Sequence, residues 1–305
     1  MTDVREHLEP QGLWRSREGR SRSEPVPIDM PCGSRGRLSP WALAGLTQTI
    51  EAEIIPRLVM AHKTVSSPIP ALGSAGAASS EVAGLAEQIL AEDMDGVCAR
   101  IETLRGAGAS LEAIYIQVLA PTASRLRQLW SEDLCGFAEV TLALWRLQQL
   151  LREYSVAFQG ESGQHVTGHR ALLAPAPREK PDLSFVMFGL VMMSQFLRRD
   201  GWEAWIEPNP ASPEFAEIVR SQWFDVVEFL VSGDKQLDAL ASGIQMIRRE
   251  SPNRSVGVMV CGQVFIEHPE LVLLVGADLT ATDARQGALK AEGLARLMAS
   301  RSQVR

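Results

Sequence analysis

Histidines and cysteines able to hold a metal or move a proton are few in these 305 residues, and they are poorly spaced for either task. The five histidines are His7, His62, His165, His169 and His268, and the four cysteines are Cys32, Cys98, Cys135 and Cys261. Imidazole and thiolate hold zinc as closely spaced pairs, and no CxxC or Cys/His cluster occurs. HExxH and GxSxG are absent too, so neither a metalloprotease helix nor a nucleophile elbow is indicated. The acids fall mostly at the spacing of solvated helix faces. The residues therefore read as those of a protein that is not an enzyme. The scattered cysteines read as small buried apolar groups, with redox sensing open for one that lies near positive charge.

Composition narrows the class. The net charge of -7 and the pI near 5.4 oppose binding to phosphate backbones, which demands a basic surface. A protein partner fits this balance better than DNA. No apolar run approaches the roughly 20 residues that span a bilayer, and the first residues lack a signal-peptide layout. The expected location is the cytoplasm.

The elements that would position any site fall into blocks. Residues 1–38 mix Arg, Ser, Glu, Gly and Pro without apolar periodicity and read as a disordered tail. The domain at 39–158 reads as helical. Its first helix is expected from the Ser39-Pro40 start to His62, and 64–80 reads as a linker. Candidate helices follow at 81–92, 94–106, 111–131 and 136–158. In the last of these, Phe137, Val140, Leu144, Leu147, Leu151, Tyr154 and Phe158 form one stripe. A polar linker is placed at 159–170.

From 171 to 302, short apolar runs alternate with helical segments. The expected strands are 171–175, 202–206, 226–231, 256–260 and 278–281. The expected helices are 184–200, 212–222, 235–250, 268–275 and 284–300. This alternation predicts an α/β domain, a five-stranded doubly wound parallel sheet of flavodoxin-like type, preceded by an all-α helical bundle. Ligands in such sheets sit beyond the carboxyl ends of the strands. The loops there carry no GxGxxG or P-loop, so a dinucleotide or nucleoside triphosphate is not indicated.

Several residues within this frame resemble the cobalamin-binding module. Pro121 and Trp130 are similar to its helical-cap Pro…Trp, in which the tryptophan covers the corrin. Gly189-Leu190, with Phe196 to Glu203 (FLRRDGWE), resembles its Gly…Leu…Gly-Trp-Glu segment. Ser232, at the 43rd position after Gly189, falls where the family has a serine facing the nucleotide tail. Cys261-Gly262 takes the place of its Gly-Gly. Three further stretches resemble the AerR/PpaA photosynthesis regulators and the related heme-binding domain of AppA. They are Glu53 to Leu58 with His62, then Trp130, Asp133, Phe137 and Val140-Thr141 with Arg146 to Gln148, and finally Val264 to Pro269 with Gly276 to Asp278. The resemblance covers roughly residues 40 to 300. It implies a cobalamin-binding-like domain in an antirepressor-type co-regulator of photosynthesis and tetrapyrrole genes. Such a protein senses light or oxygen through a bound tetrapyrrole and acts on a DNA-binding transcriptional repressor.

The chain departs from that family where the metal would be held. Val186 stands at the lower axial histidine and Ser184 at its aspartate, and Val140-Thr141 replace the Glu-His pair of the photoreceptors. Valine cannot ligate cobalt. Cobalamin held base-on by shape, heme held through His62, His268 or Cys261, and a cofactor-free interaction module all stay open. The resemblance implies cofactor contacts at Trp130, Gly189, Ser232, Gly262 and His268, with His62 or His268 as the metal ligand if heme binds. Structural roles compete at each position: Trp130 as a packing anchor, Gly189 for close helix packing, Ser232 and His268 as helix caps. Glycine inside a helix costs about 1 kcal/mol against alanine, so Gly189 needs one of these reasons.

Overall fold

Alanine and serine open the first helix. The structure, a computed structural model, describes residues 75–162, 166–178 and 183–302, all within one compact unit. The expected tail, the helix through His62, and His165 lie outside the described residues. Helix α1 spans Ala75–Leu90, so the last residues of the expected 64–80 linker are helical. Alanine is the strongest helix former, and Ala75, Ala77 and Ala78 carry the helix into the end of that segment.

Helix α2 spans Met94–Gly106 and begins where the Asp93 carboxylate accepts from the Gly96 N–H at 2.9 Å. Helix α3 is assembled from Leu111–Ile114, a widened π turn at Tyr115–Leu119, and Ala120–Ser131. Ser110 caps it, its Oγ accepting from Ala113 N at 3.1 Å. The π turn lies against Pro121, which has no N–H to continue the ladder, and Ala120 N–H reaches back to the Tyr115 carbonyl. Helix α4 is Phe137–Glu153 and α5 is Ser155–Gly160, so the expected single helix breaks at Tyr154. Its stripe is buried from Val140 to Phe158, but Phe137 is exposed.

Strand β1, Arg170–Pro175, leads through the 176–182 connection into α6, Leu183–Arg199. Both faces of α6 are covered, because the bundle packs on one side and the sheet on the other. Phe158 makes the join, stacking on Tyr115 (4.5 Å between centroids) and meeting Phe196 edge-on at 5.0 Å. One apolar core therefore runs from the bundle into the α/β half. Beyond α6 come β2 (Glu203–Ile206), α7 (Pro213–Ser221), β3 (Val226–Leu230), α8 (Leu237–Glu250) and β4 (Gly257–Cys261). Short helices α9 (Gln263–Glu267) and α10 (Glu270–Leu274) precede the long α11 (Ala284–Ser302).

The four strands are parallel in the order β2-β1-β3-β4. Helices α6 and α11 cover one face, and α7 and α8 the other. The expected fifth strand is reduced to a single parallel bridge between Met259 and Leu279. Asp278 explains the loss, because its carboxylate takes the Val258 N–H at 2.8 Å and also binds Arg248. The expected helix at 268–275 is two pieces starting at 263. Pro269 disfavours a helical conformation at His268, which sits at φ -130°, ψ 73°.

Candidate functional site

Strand alternation sends Val226, Glu228 and Leu230 toward α6, and Val227 and Phe229 toward α8. Glu228 pairs in register with Leu173 and Met259, so a carboxyl stands in an apolar row across the middle of the sheet. It is only 3% exposed. Burial pushes its pKa up to about 7, which the hydrogen-bonded Cys261 thiol offsets only in part. Burial and the neighbouring acid together push the Cys261 thiol well above its ordinary value, so it is a poor nucleophile. The Oε2 atom of Glu228 is buried and has no hydrogen-bond partner.

That carboxyl lines a cavity of about 230 Å³ beyond the carboxyl ends of β3 and β4. Helix α6 supplies Phe188, Gly189, Met192 and Met193; the strand ends add Leu230, Cys261 and Gly262. The bundle contributes Ala120, placed there by the π turn of α3. Thr282 and Asp283 stand at the exposed rim. Two glycines in its wall allow their neighbours to pack closely. A Cβ at Gly189 would lie 2.5 Å from Leu230 Cδ2, and one at Gly262 would overlap the Val231 carbonyl oxygen. Gly262 also holds φ +146°, which side chains other than hydrogen rarely adopt.

The sequence-derived candidates divide on this geometry. Gly189 and Gly262 meet at the cavity. Trp130 does not line it; its ring stacks on Phe185 of α6 at 6.0 Å and lies 6.2 Å from Phe137. Arg127 covers the Phe185 ring, 4.0 Å from its centroid. Ser232 follows β3, but the cap position of the next helical turn is Gly233. His268 ends α9 through its backbone, is exposed, and sets Nδ1 3.3 Å from Glu270. Val186 is buried in the core at 3% exposure. Among the described residues, no group of three His, Cys, Asp or Glu side chains could hold a metal.

These residues suit part of a tetrapyrrole cofactor. The cavity of about 230 Å³, with mostly apolar walls, has room for a flat group of one or two rings. They offer no protein ligand to cobalt, and His268 does not face the cavity for heme. Sequence reasoning missed Glu228 and placed Cys261 only by resemblance. The signal was present: an acid interrupts the apolar run VVEFLV.

No family model matches the chain. An uncharacterized 20.5 kDa protein in the bchF-crtJ intergenic region of Rhodobacter capsulatus is 24% identical over 182 residues, covering 60% of this chain and 92% of that protein. The monomethylamine corrinoid protein of Methanosarcina barkeri superposes with a TM-score of 0.54 at 13% identity, over 68% of this chain and 95% of its own. A cobalamin-binding protein from Desulfitobacterium hafniense DCB-2 gives a TM-score of 0.36 at 12% identity, over 70% of this chain and 98% of its own. No helix among the described residues is long and apolar enough to cross a membrane. The chain has the fold of cobalamin-binding proteins, a helical bundle followed by a parallel α/β sheet with its cavity at the carboxyl edge.

Proposed function

We propose that this protein is an antirepressor-type co-regulator of photosynthesis and tetrapyrrole genes. In this reading it carries no catalytic step, binds a cobalamin-type ligand at the carboxyl edge of its sheet, and acts by contact with a DNA-binding repressor. The observation that carries the regulatory half is the relative located between bchF and crtJ, in a photosynthesis gene cluster. The ligand half draws on the fold and on the cavity that Gly189 and Gly262 line. When bound, a corrinoid would supply light- or oxygen-sensitive chemistry at cobalt. The chain's own part is to hold the base of the nucleotide tail between α6 and the ends of β3 and β4. It also sets Trp130 and Phe185 on the bundle side. The acidic balance of the chain suits a protein partner over DNA.

Deleting the gene in its phototrophic host should lower bacteriochlorophyll and carotenoid, because the repressor would then act unopposed. The wild-type gene should restore the pigments, and Gly189→Leu should not. Unchanged pigment in the deletion strain would overturn the reading.

Val186 favours a second reading, in which the same fold works as a cofactor-free interaction module. There the wild-type gene and Gly189→Leu would restore pigment equally.

A further inference from the structure

Helix α4 carries two seams, and only one of them is buried. Val140, Leu144, Leu147 and Leu151 face the core. On the other side Ala138, Leu142, Trp145, Gln149 and Arg152 recur in alternating steps of four and three. That is the seven-residue repeat of a helix that meets another helix along its length. Leu142 is 49% exposed and Trp145 52%, and Leu134, just before the helix, is 67% exposed. Thr141 and Gln148 flank this outer seam, so no charge interrupts it from Ala138 to Gln149. A surface helix ordinarily turns charge toward water, as α2 does with Asp95 and Glu102. Helix α4 instead turns a leucine and a tryptophan outward.

The outer seam is complementary to itself when run antiparallel. A two-fold axis between Leu142 and Trp145 sets Leu142 of one copy against Trp145 of the other, and the reverse. Ala138 then opposes Gln149, a small side chain beside a longer one, and Thr141 meets Gln148. The ends of the seam differ in charge. Exposed Arg152 at the carboxyl end comes against the turn that opens the second copy's helix, where Glu132, Asp133 and Glu139 are exposed. A parallel pairing would instead set Arg152 on Arg152. We propose that the protein self-associates through this face, α4 packing antiparallel on α4 of a second copy, with Leu142 and Trp145 as the buried centre. The seam runs for only about four turns, short of a standard interface, so the pair is reversible, with a dissociation constant of about 10 µM. The inference does not rest on the cavity or on what fills it.

Sedimentation equilibrium of the full chain, from about 1 to about 200 µM, tests this and should show a monomer–dimer equilibrium. Leu142→Glu brings a carboxylate into the centre and should weaken the dimer more than about tenfold. Its far-ultraviolet circular dichroism should stay unchanged, because Leu142 is half in solvent in the single chain. Arg152→Glu should weaken the dimer several-fold, and adding Glu132→Lys to it should restore most of the loss. That rescue keeps the proposal testable even if Leu142→Glu fails to fold. A dimer that survives Leu142→Glu, or a charge reversal that Glu132→Lys does not rescue, would overturn the antiparallel α4 pairing. A chain still monomeric at the highest concentration would overturn self-association, and hydroxyl-radical oxidation of Trp145 would then say what meets the face. Protection of Trp145 in the monomer would point to a segment within residues 1–74, and full oxidation to a different protein.

Discussion

The two ends of the β-sheet are built from similar residues to opposite effect. At the amino edge Asp225 and Glu203 both have partners. Asp225, just before β3, accepts the Arg170 N–H at 2.8 Å and lies 3.5 Å from His169 Nδ1. The Arg170 guanidinium lies 5.3 Å from the Trp205 and Phe224 ring centroids and bonds Glu203 at 3.1 Å. His169 stacks on Trp202, with centroids 4.9 Å apart. Three residues along the same chain, at the carboxyl side, Glu228 has an oxygen without a partner beside a cavity. A fold spends its polar groups on stability at one edge and leaves some buried ones uncommitted toward the other, where parallel sheets take their ligands.

The glycines give the largest contrast. Gly262→Ala, at the carboxyl edge, meets the Val231 carbonyl and an unfavourable φ, and should cost more than about 3 kcal/mol in urea unfolding. Gly168→Ala, near the amino edge at φ +74° with nothing within 4 Å of the added carbon, should cost only about 1 kcal/mol. Similar losses at both positions would dissolve the distinction between an edge under steric constraint and an open one.

Glu228 gives the next effect, and its sign differs from that of an ordinary paired acid. Its pKa rises from 4.5 in the unfolded chain to about 7 in the fold, so the folded state holds the proton more tightly. That contribution is full below pH 4.5 and is lost as pH rises to 7, a loss of roughly 3 kcal/mol. Unfolding free energies of the wild type and Glu228→Gln, measured from pH 4.5 to 8, should therefore diverge in the variant's favour as pH rises. A constant difference would show that the carboxyl is solvated in the folded state. At the amino edge, Asp225→Ala should instead destabilise by about 1–3 kcal/mol, since it strips the Arg170 N–H of its acceptor.

The smallest effect is expected at Trp130. Trp130→Leu removes an aromatic stack on Phe185 and should cost about 1 kcal/mol beyond lost area. A much larger loss, read from the thermal midpoint, would make Trp130 the main anchor between bundle and sheet. That role is assigned here to Phe158, and to Glu112, which bonds Arg199 and Arg285 at 2.6 Å each.

What could be read from the sequence followed from periodicity. The stripe from Val140 to Phe158 and the four apolar runs of the sheet announce their elements, since burial alone sets their spacing. Breaks decided by single groups were harder to see. The fifth strand fails because one Asp278 carboxylate takes a ladder N–H, and the split at His268 follows from Pro269. Gly189 and Gly262 were legible through a resemblance, and the structure gives them a common cavity. Trp130, Ser232 and His268 were singled out by the same resemblance but lie outside the cavity lining. Glu228 was hidden because a lone acid in a strand reads as an edge residue until the strand order places it in the middle of the sheet.

The most direct measurement is the visible spectrum of the purified full chain after separate incubation with hydroxocobalamin, adenosylcobalamin and hemin, followed by desalting. A retained corrin spectrum in the wild type, lost in Gly189→Leu and with no Soret band from hemin, is the expected result. A colourless wild-type protein after both cobalamins would contradict cobalamin binding and leave the fold as a partner-binding scaffold.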